Sequence, residues 1–190
     1  MAEDSARAFL LRRRSTPVRM LRAPAPDREV LRAILTAGVR VPDHGKLEPW
    51  RFVVLERPAL VRLVGEVEAR GAELGLEPEG IAKAARDYND SPLAVAVIAA
   101  PRPSEKIPEI EQVLSAGAVC LSVLNAALAH GWGACWLTGW PVHDRAFAER
   151  ALGVGAGEFV AGMIHIGSTD TPPPDRPRPD IDAITRWSGP

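Results

Sequence analysis

The most apolar part of the chain lies between Glu109 and Trp140. No Asp, Glu, Lys or Arg occurs between Glu111 and Asp144, and apolar residues recur there at helical spacing. This spacing predicts a helix, and a helix that is apolar on all faces is buried on every side, in a protein core or in a membrane. We therefore expect one central helix that the rest of the chain surrounds.

The same run also has the length of a transmembrane span, for which about 20 apolar residues suffice. Three features favour a core helix instead. Glu109 and Glu111 precede the run where Lys or Arg would be expected, and Gly131 and Gly133 break its end. Polar residues also interrupt it, namely Ser115, Ser122, Asn125 and His130. We accordingly expect no membrane insertion.

Shorter patterns on either side predict the remaining elements. Amphipathic segments predict helices at 4–12, 28–40, 59–74, 81–88 and 145–152. Strands are predicted at 51–55, 93–100, 134–138 and 158–166. The continuous aliphatic run at 93–100 suits a strand that is buried on both faces. In the first helix we expect Phe9 and Leu10 to face the interior.

The C-terminal part of the chain has a different composition. From about residue 171 to Asp180 the sequence is too rich in proline for a helix or strand, which predicts an extended, polyproline-like arm. Trp187 gives this arm an apolar group to bury. No repeat or linker divides the chain, so we expect a single domain over 1–190 that ends in this arm.

Composition narrows the classes of protein. The 190 residues, 46% of them apolar, suit one domain or one protomer of an intertwined oligomer. A net charge of -1 gives no general attraction to nucleic acid. Cys120 and Cys135 are too few for a disulfide framework. Because the N-terminus is acidic and lacks a long apolar core, we expect no secretory signal and a bacterial cytoplasmic location.

Two polar segments are candidates for chemistry. Arg12, Arg13 and Arg14 end the first helix, where they either complement its dipole or, with Ser15 and Thr16, bind a phosphate. The spacing alone leaves both interpretations open. His44 lies between Asp43 and Gly45 in a loop, so it is expected at the surface. No second His or Cys stands at ligand spacing, and we expect no metal site.

Four segments, in order, resemble the nitroreductase superfamily, and most of all its small YdjA-like subgroup. They are RRRSTPVR, PDHGKLEPWRFVV, the long helix into GWGACWLTGW, and HIGSTDTPPPDRPRPD. The resemblance covers essentially the whole chain. It implies an α+β fold with a central mixed, mostly antiparallel sheet enclosed by helices. It also implies an intertwined homodimer with two FMN sites at the subunit interface.

The resemblance assigns cofactor-binding residues position by position. Arg13, Arg14 and Ser15 match the residues that hold the FMN phosphate and ribityl chain, and Arg40 and His44 match residues that reach the FMN of the partner chain. Trp136, Leu137 and Thr138 match the segment along the isoalloxazine in the other chain, and Arg178, with Arg176 as its rival, matches a phosphate contact. The helix end resembles a nicotinamide site formed by Ala126, Ala127, Leu128, Ala129, His130 and Gly131.

Two departures from the family pattern matter. Larger members carry Asn and Gln before Pro-Trp, whereas this chain has Lys46 and Glu48. The resemblance therefore does not identify the residue that contacts the pyrimidine edge of the flavin. The chain also lacks the insertions that shape pockets in larger members, which implies an open or shallow site.

The implied function is that of an FMN-dependent NAD(P)H oxidoreductase acting on nitroaromatics, quinones or similar small-molecule acceptors. The alternative is a flavin-binding module or sensor without useful turnover. No catalytic protein residue is required, because the cofactor carries the chemistry. A nucleophilic role for Cys135 is disfavoured, since apolar neighbours raise a thiol's pKa.

Overall fold

The computed structural model describes residues 6–189, which form one α+β unit of four strands and eight α-helices. The helices are α1 Ala6–Arg12, α2 Arg28–Gly38, α3 Arg57–Glu73, α4 Pro78–Asp90, α5 Glu109–Ala129, α6 Trp140–His143, α7 Arg145–Leu152 and α8 Ile181–Ile184. The strands are β1 Trp50–Glu56, β2 Leu93–Ala99, β3 Gly133–Leu137 and β4 Phe159–Gly167. Two short 3₁₀ helices occur at Val18–Met20 and His44–Lys46.

The sheet has the strand order β1-β2-β4-β3, so β1 and β3 are its edges. Each neighbouring pair among these four strands is antiparallel, and Cys135 of β3 stands opposite His165 of β4. The predicted α+β fold with a mostly antiparallel sheet is confirmed. The predicted strands all occur, with ends that differ by at most one residue.

Both faces of the sheet are covered, which explains why β2 is apolar throughout. Successive side chains of a strand point to opposite faces. Leu93, Val95 and Val97 pack towards α2 and α5, whereas Ala94, Ala96 and Ile98 pack towards α3, α4 and α7. Every residue of β2 is buried as a result. The expectation that this run forms a doubly buried strand is therefore confirmed.

Helix α5 is the central helix that the sequence predicts. It packs against β2, β3, β4 and α2 and buries Val119, Cys120 and Val123. The expectation that it is buried on every side is wrong for one protomer, because Leu114 is 65% exposed and Ile110 and Leu121 are exposed too. The sheet and α2 cover only part of its circumference. By length and composition α5 could cross a membrane, but a core helix passes the same test.

Both ends of the described chain leave apolar side chains uncovered. Helix α1 buries none of its residues, and Leu10 is exposed, so the expectation that Leu10 faces the interior is wrong. The reason is that the chain joins the sheet only after α1, at Thr16. Trp187 at the end of the arm is 84% exposed. Each end therefore presents a surface that another chain could cover.

Two ion pairs connect distant elements around α7. Asp144 accepts a hydrogen bond from the Phe147 amide at 2.8 Å, which caps the helix, and also pairs with Arg70 of α3 at 2.9 Å. Arg51 of β1 donates to both carboxylate oxygens of Glu158, at 2.9 and 2.6 Å. The hydrogen bond from Arg51 is the main reason that the pKa of Glu158 is lowered to about 2.

This lowered pKa predicts an acid-dependent contribution to stability. A carboxylate with a depressed folded-state pKa stabilises the fold above its unfolded-state pKa, and that stabilisation is lost as the pH falls through the folded-state value. We expect Glu158→Gln to lower the Tm by a constant amount above about pH 4.5. This decrease should become smaller as the pH falls towards 2. Melting curves at pH 2, 3, 4.5 and 7 measure it. Glu68→Gln, on the exposed face of α3, is the control; an equal difference at all four pH values would contradict the assignment.

Candidate cofactor-binding site

The segment after α1 is fixed to the outer edge of the sheet. The Arg13 amide donates to the Phe9 carbonyl at 2.9 Å, which closes the end of the helix. Three residues later the Thr16 amide donates to the Ala134 carbonyl of β3 at 2.8 Å, and Thr16 is buried. Arg13, Arg14 and Ser15 therefore lie between α1 and the edge strand β3.

Arg13 is the most constrained residue of this segment. Its Nη2 lies 3.4 Å from Ser15 Oγ, and its Nε is buried without a hydrogen-bond partner among residues 6–189. A buried guanidinium donor is normally paired, so this atom points to a group that is not among the described residues. Burial, followed by the charges of Arg178, Arg14 and Arg176, lowers the pKa of Arg13. The segment thus meets two further arginines from the other end of the chain.

The proline-rich arm supplies those arginines. Arg14 Nε donates to the Pro174 carbonyl at 3.1 Å and lies 3.8 Å from Asp175. Asp175 also pairs with Arg178 at 3.0 Å. Four guanidiniums, from Arg13, Arg14, Arg176 and Arg178, therefore share one region with the carboxylate of Asp175. We call these four residues the arginine cluster.

The arginine cluster has the chemistry of a phosphate site. Guanidinium groups bind phosphate through charge-assisted, often bidentate, hydrogen bonds. The Ser15 hydroxyl beside Arg13 can add another. Of the two interpretations that the sequence leaves open for the N-terminal arginines, the anion site gains support, because a solvated helix end would not collect Arg176 and Arg178 from the arm.

A cavity of about 560 Å³ lies at the other end of β3. Trp136 and Thr138 line it together with Val142, Phe159 and Ala161. The Trp136 indole lies over Gly162 of β4, and any side chain at Gly162 would overlap it. Trp136 is 37% exposed. Two of the three residues predicted for the ring segment, Trp136 and Thr138, therefore border an open cavity at the edge strand beside which the N-terminal arginines lie.

The loop that carries Arg40 and His44 lies elsewhere, at the start of α5. His44 Nδ1 is 2.7 Å from Glu111 Oε2, and Ser115 Oγ donates to the Pro42 carbonyl at 2.5 Å. Arg40 and His44 are both exposed. No contact between either of them and the arginine cluster occurs in the described protomer. A site that combines Arg40 and His44 with the arginine cluster would therefore need a second copy of the chain.

The backbone of this loop is strained at the two positions that depart from the family pattern. Lys46 has φ of 54° and Glu48 has φ of 47°, values that non-glycine residues rarely adopt. A hydrogen bond from the Glu48 amide to Asp43 Oδ2, at 2.9 Å, holds the turn. Such strain concentrates at functional sites. It leaves open which of the two side chains meets a flavin edge.

The proposed nicotinamide stretch is only partly accessible. Ala126 and Ala127 are buried in the core, whereas Ala129, His130 and Gly131 are exposed. His130 Nδ1 lies 2.8 Å from the Ala126 carbonyl at the end of α5. The assignment stays a prediction, and a ligand could reach only the last residues of the stretch in this conformation.

Neither cysteine is placed for catalysis. Cys120 and Cys135 are both buried, and burial raises the pKa of each thiol to about 12. A thiol with such a pKa is protonated and inert at neutral pH. Among residues 6–189 no group of three or more His, Cys, Asp or Glu side chains is placed to hold a metal ion.

Sequence reasoning missed two carboxylates of these sites. Asp175 lies within the arginine cluster, and Glu111 pairs with His44 from 67 positions away. An acidic residue in an arginine-rich arm is a usable signal for the first. Nothing in the sequence around His44 or Glu111 indicates that these two residues pair, because the pairing depends on how the loop packs against α5.

This fold is that of a known family of proteins. The chain matches the model of the Nitroreductase family over residues 10–168, and it belongs to that family. It is similar to "Putative NAD(P)H nitroreductase YdjA" of Escherichia coli K12, with 32% identity over 160 residues, 84% of this chain and 86% of that protein. It is also 36% identical over 149 residues to "Putative NAD(P)H nitroreductase" of Haemophilus influenzae, covering 78% and 80% of the two chains.

Solved structures show the same fold. A nitroreductase-like family protein from Bacillus cereus superposes with a TM-score of 0.80 at 22% identity, over 98% of this chain and 97% of that one. The FMN and NADPH-dependent nitroreductase NfnB from sphigopyxis sp. strain HMH gives 0.73 at 23% identity, over 98% and 100%. A BluB-like flavoprotein from Clostridium difficile 630 superposes with a TM-score of 0.72 at 18% identity, over 98% of this chain and 100% of that one.

Proposed function

We propose that the protein is an FMN-dependent NAD(P)H oxidoreductase of the nitroreductase type. Its acceptors would be small molecules such as nitroaromatics or quinones. Family membership and the names of the relatives support the reaction class. The observation that carries the proposal for this chain is the arginine cluster around the unpaired Arg13 Nε.

The residues present fit the phosphate end of FMN. Arg13, Arg14 and Ser15 would hold the phosphate from one side, and Arg176 and Arg178 would close it from the arm. A dianionic phosphate would satisfy Arg13 Nε and relieve the repulsion that lowers the pKa of Arg13. Arg178 and Arg176 both repel the Arg13 guanidinium, and this supports our proposal that they share the phosphate contact.

The ring end would lie along β3. FMN, when bound, supplies hydride and electron transfer between a nicotinamide and an acceptor. Trp136, Leu137 and Thr138 would position the ring at the 560 Å³ cavity, which is open enough to admit flat acceptors. No protein residue has to act as nucleophile or general acid in this scheme, and the buried thiols are unsuited to such a role.

We propose that the active form is an intertwined homodimer. The apolar side chains that one protomer leaves exposed, at Leu114 and Leu121 of α5 and at Leu10 of α1, would be covered there. The arm, with Trp187, would lie across the partner. Arg40 and His44 would reach the partner's FMN, which agrees with their separation from the arginine cluster of their own chain.

The remaining parts of the proposal rest on the sequence. With a net charge of -1 we expect neither nucleic-acid nor membrane partners, and the location would be the bacterial cytoplasm. The deciding test of function is simple. Purified protein should be yellow, and it should oxidise NADH or NADPH when a nitroaromatic is added. Bound flavin without such turnover would instead establish the alternative, a flavin-binding module or sensor.

The arginine cluster generates the first prediction on binding. Arg13→Ala should remove a charge-assisted hydrogen bond worth about 1.5–3 kcal/mol and weaken FMN affinity roughly 10- to 150-fold. Fluorescence titration of the apoprotein with FMN measures this. Arg19→Ala, at an exposed position of the following 3₁₀ helix, should leave the affinity unchanged. If Arg13→Ala binds FMN as tightly as the control, the arginines belong to a solvated helix end.

The proline-rich arm leads to a second prediction. Deletion of residues 171–190 removes Arg176 and Arg178 while keeping Ser168, whose hydroxyl bonds the Pro24 carbonyl at 2.8 Å. We expect this chain to lose FMN affinity and to dissociate into monomers at concentrations where the full chain is dimeric. Sedimentation equilibrium and flavin absorbance measure both effects. A truncated chain that stays dimeric and yellow would refute the role of the arm.

The separation of Arg40 and His44 from the arginine cluster leads to a third prediction. One chain carries Arg40→Ala and His44→Ala, and the other carries Arg13→Ala and Ser15→Ala. Sites shared between chains predict a mixed dimer with one intact and one doubly damaged site. FMN titration should then show half the binding capacity at native affinity. Two equally weakened sites would mean that each chain binds its own flavin.

A further inference from the structure

His165 is a buried titratable residue that the proposed function does not use. It lies inside β4, on the face opposite to Ile164 and Ile166, and is 3% exposed. Its Nδ1 is buried without a hydrogen-bond partner among the described residues. Burial lowers the pKa of His165 to about 4, so the imidazole is neutral at pH 7. A neutral imidazole has one donor and one acceptor nitrogen, and each normally finds a partner when buried.

The surroundings of this imidazole come from three elements. Cys135 of β3 and Ala94 of β2 are its cross-strand neighbours. The Tyr88 ring of α4 meets it edge-on, with ring centroids 6.5 Å apart. None of these contacts supplies a hydrogen bond to Nδ1. The space between α4 and the sheet, which His165 lines, is where a partner for Nδ1 can lie.

That space is a small cavity of about 40 Å³. Its lining includes Ala84, Asp87, Tyr88, Thr138, Met163 and His165. A buried water needs about 10–15 Å³ of such space and two to four polar partners. The cavity has room for a water, and His165, Asp87 and Thr138 give it polar walls.

We propose that this cavity is a binding site for one internal water, which bridges His165 Nδ1 and the Asp87 carboxylate. Asp87 is half-buried on α4, which agrees with a carboxylate turned partly towards the sheet. The water would link α4 to the strands behind Leu137 and Thr138, the residues assigned to the flavin ring. The site is built from the protomer alone and does not depend on the proposed function.

A cavity-filling substitution tests the proposal, because it should lower the Tm if the water is present and raise the Tm if the cavity is dry. Ala84→Val adds two methyl groups to the cavity wall and should expel the water. His165 Nδ1 would lose its partner, and the Tm should fall by roughly 3–8 °C. Ala82→Val is the matched control, since it makes the same change on the exposed face of the same helix. If the cavity were dry, Ala84→Val would fill a void and raise the Tm above that of the control.

Overpacking could also lower the Tm, and a double variant separates the two causes. In a His165→Leu background no imidazole is left to lose a partner, although the core volume is similar. We expect Ala84→Val to cost little there if the water exists, and as much as before if steric strain is the cause. Water-to-imidazole NOE cross-peaks of His165 should be present in the native chain and absent from Ala84→Val. Their absence from the native chain would overturn the proposal.

Discussion

The hydrogen bond between the Thr16 amide and the Ala134 carbonyl is the interaction on which the candidate site depends. It fixes the chain that follows α1 to the edge strand β3, and so it places Arg13 and Ser15 beside the strand that carries Trp136. The arm then closes on the same segment through Arg14 and Pro174. Two ends of the chain, far apart in sequence, meet at one sheet edge because of these two contacts.

The central helix explains why a domain of this size has so much exposed apolar surface. The helix has 21 residues, carries no charge after Glu111 and is about 30 Å long. The sheet and α2 cover one side of it, and no further helix of the described chain covers the side of Leu114 and Leu121. Patches of this kind on a single protomer mark interaction surfaces. The same constraint that makes α5 central therefore leads to the proposed dimer.

The sequence predicts best what local pattern determines. The aliphatic run of β2, the capping of α7 by Asp144 and the length of α5 all follow from residues within a few positions of each other. The exposure of Leu10 was not predictable, because it depends on where the chain joins the sheet. The same holds for His44, whose partner Glu111 is supplied by the packing of a loop against α5.

The site shows the same division between local and long-range information. The arginines of each end are visible in the sequence, and their resemblance to a family pattern names a phosphate as their partner. Their convergence, and the unpaired Nε of Arg13, are visible only in the folded chain. The role of Lys46 and Glu48 stays open for a similar reason: the strained backbone marks the loop, but its partner would belong to another chain.

Like charges that converge in a folded protein have an energetic consequence. The four guanidiniums beside the carboxylate of Asp175 repel one another, and after burial this repulsion is the second cause of the lowered pKa of Arg13. The fold maintains the arrangement through the Thr16 contact and the proline-rich arm rather than through the charges themselves. A bound dianion would turn the repulsion into attraction and stabilise the folded state by mass action. If the cluster binds the FMN phosphate as proposed, cofactor binding, the position of the arm and the stability of the protein would be coupled through this one electrostatic cluster.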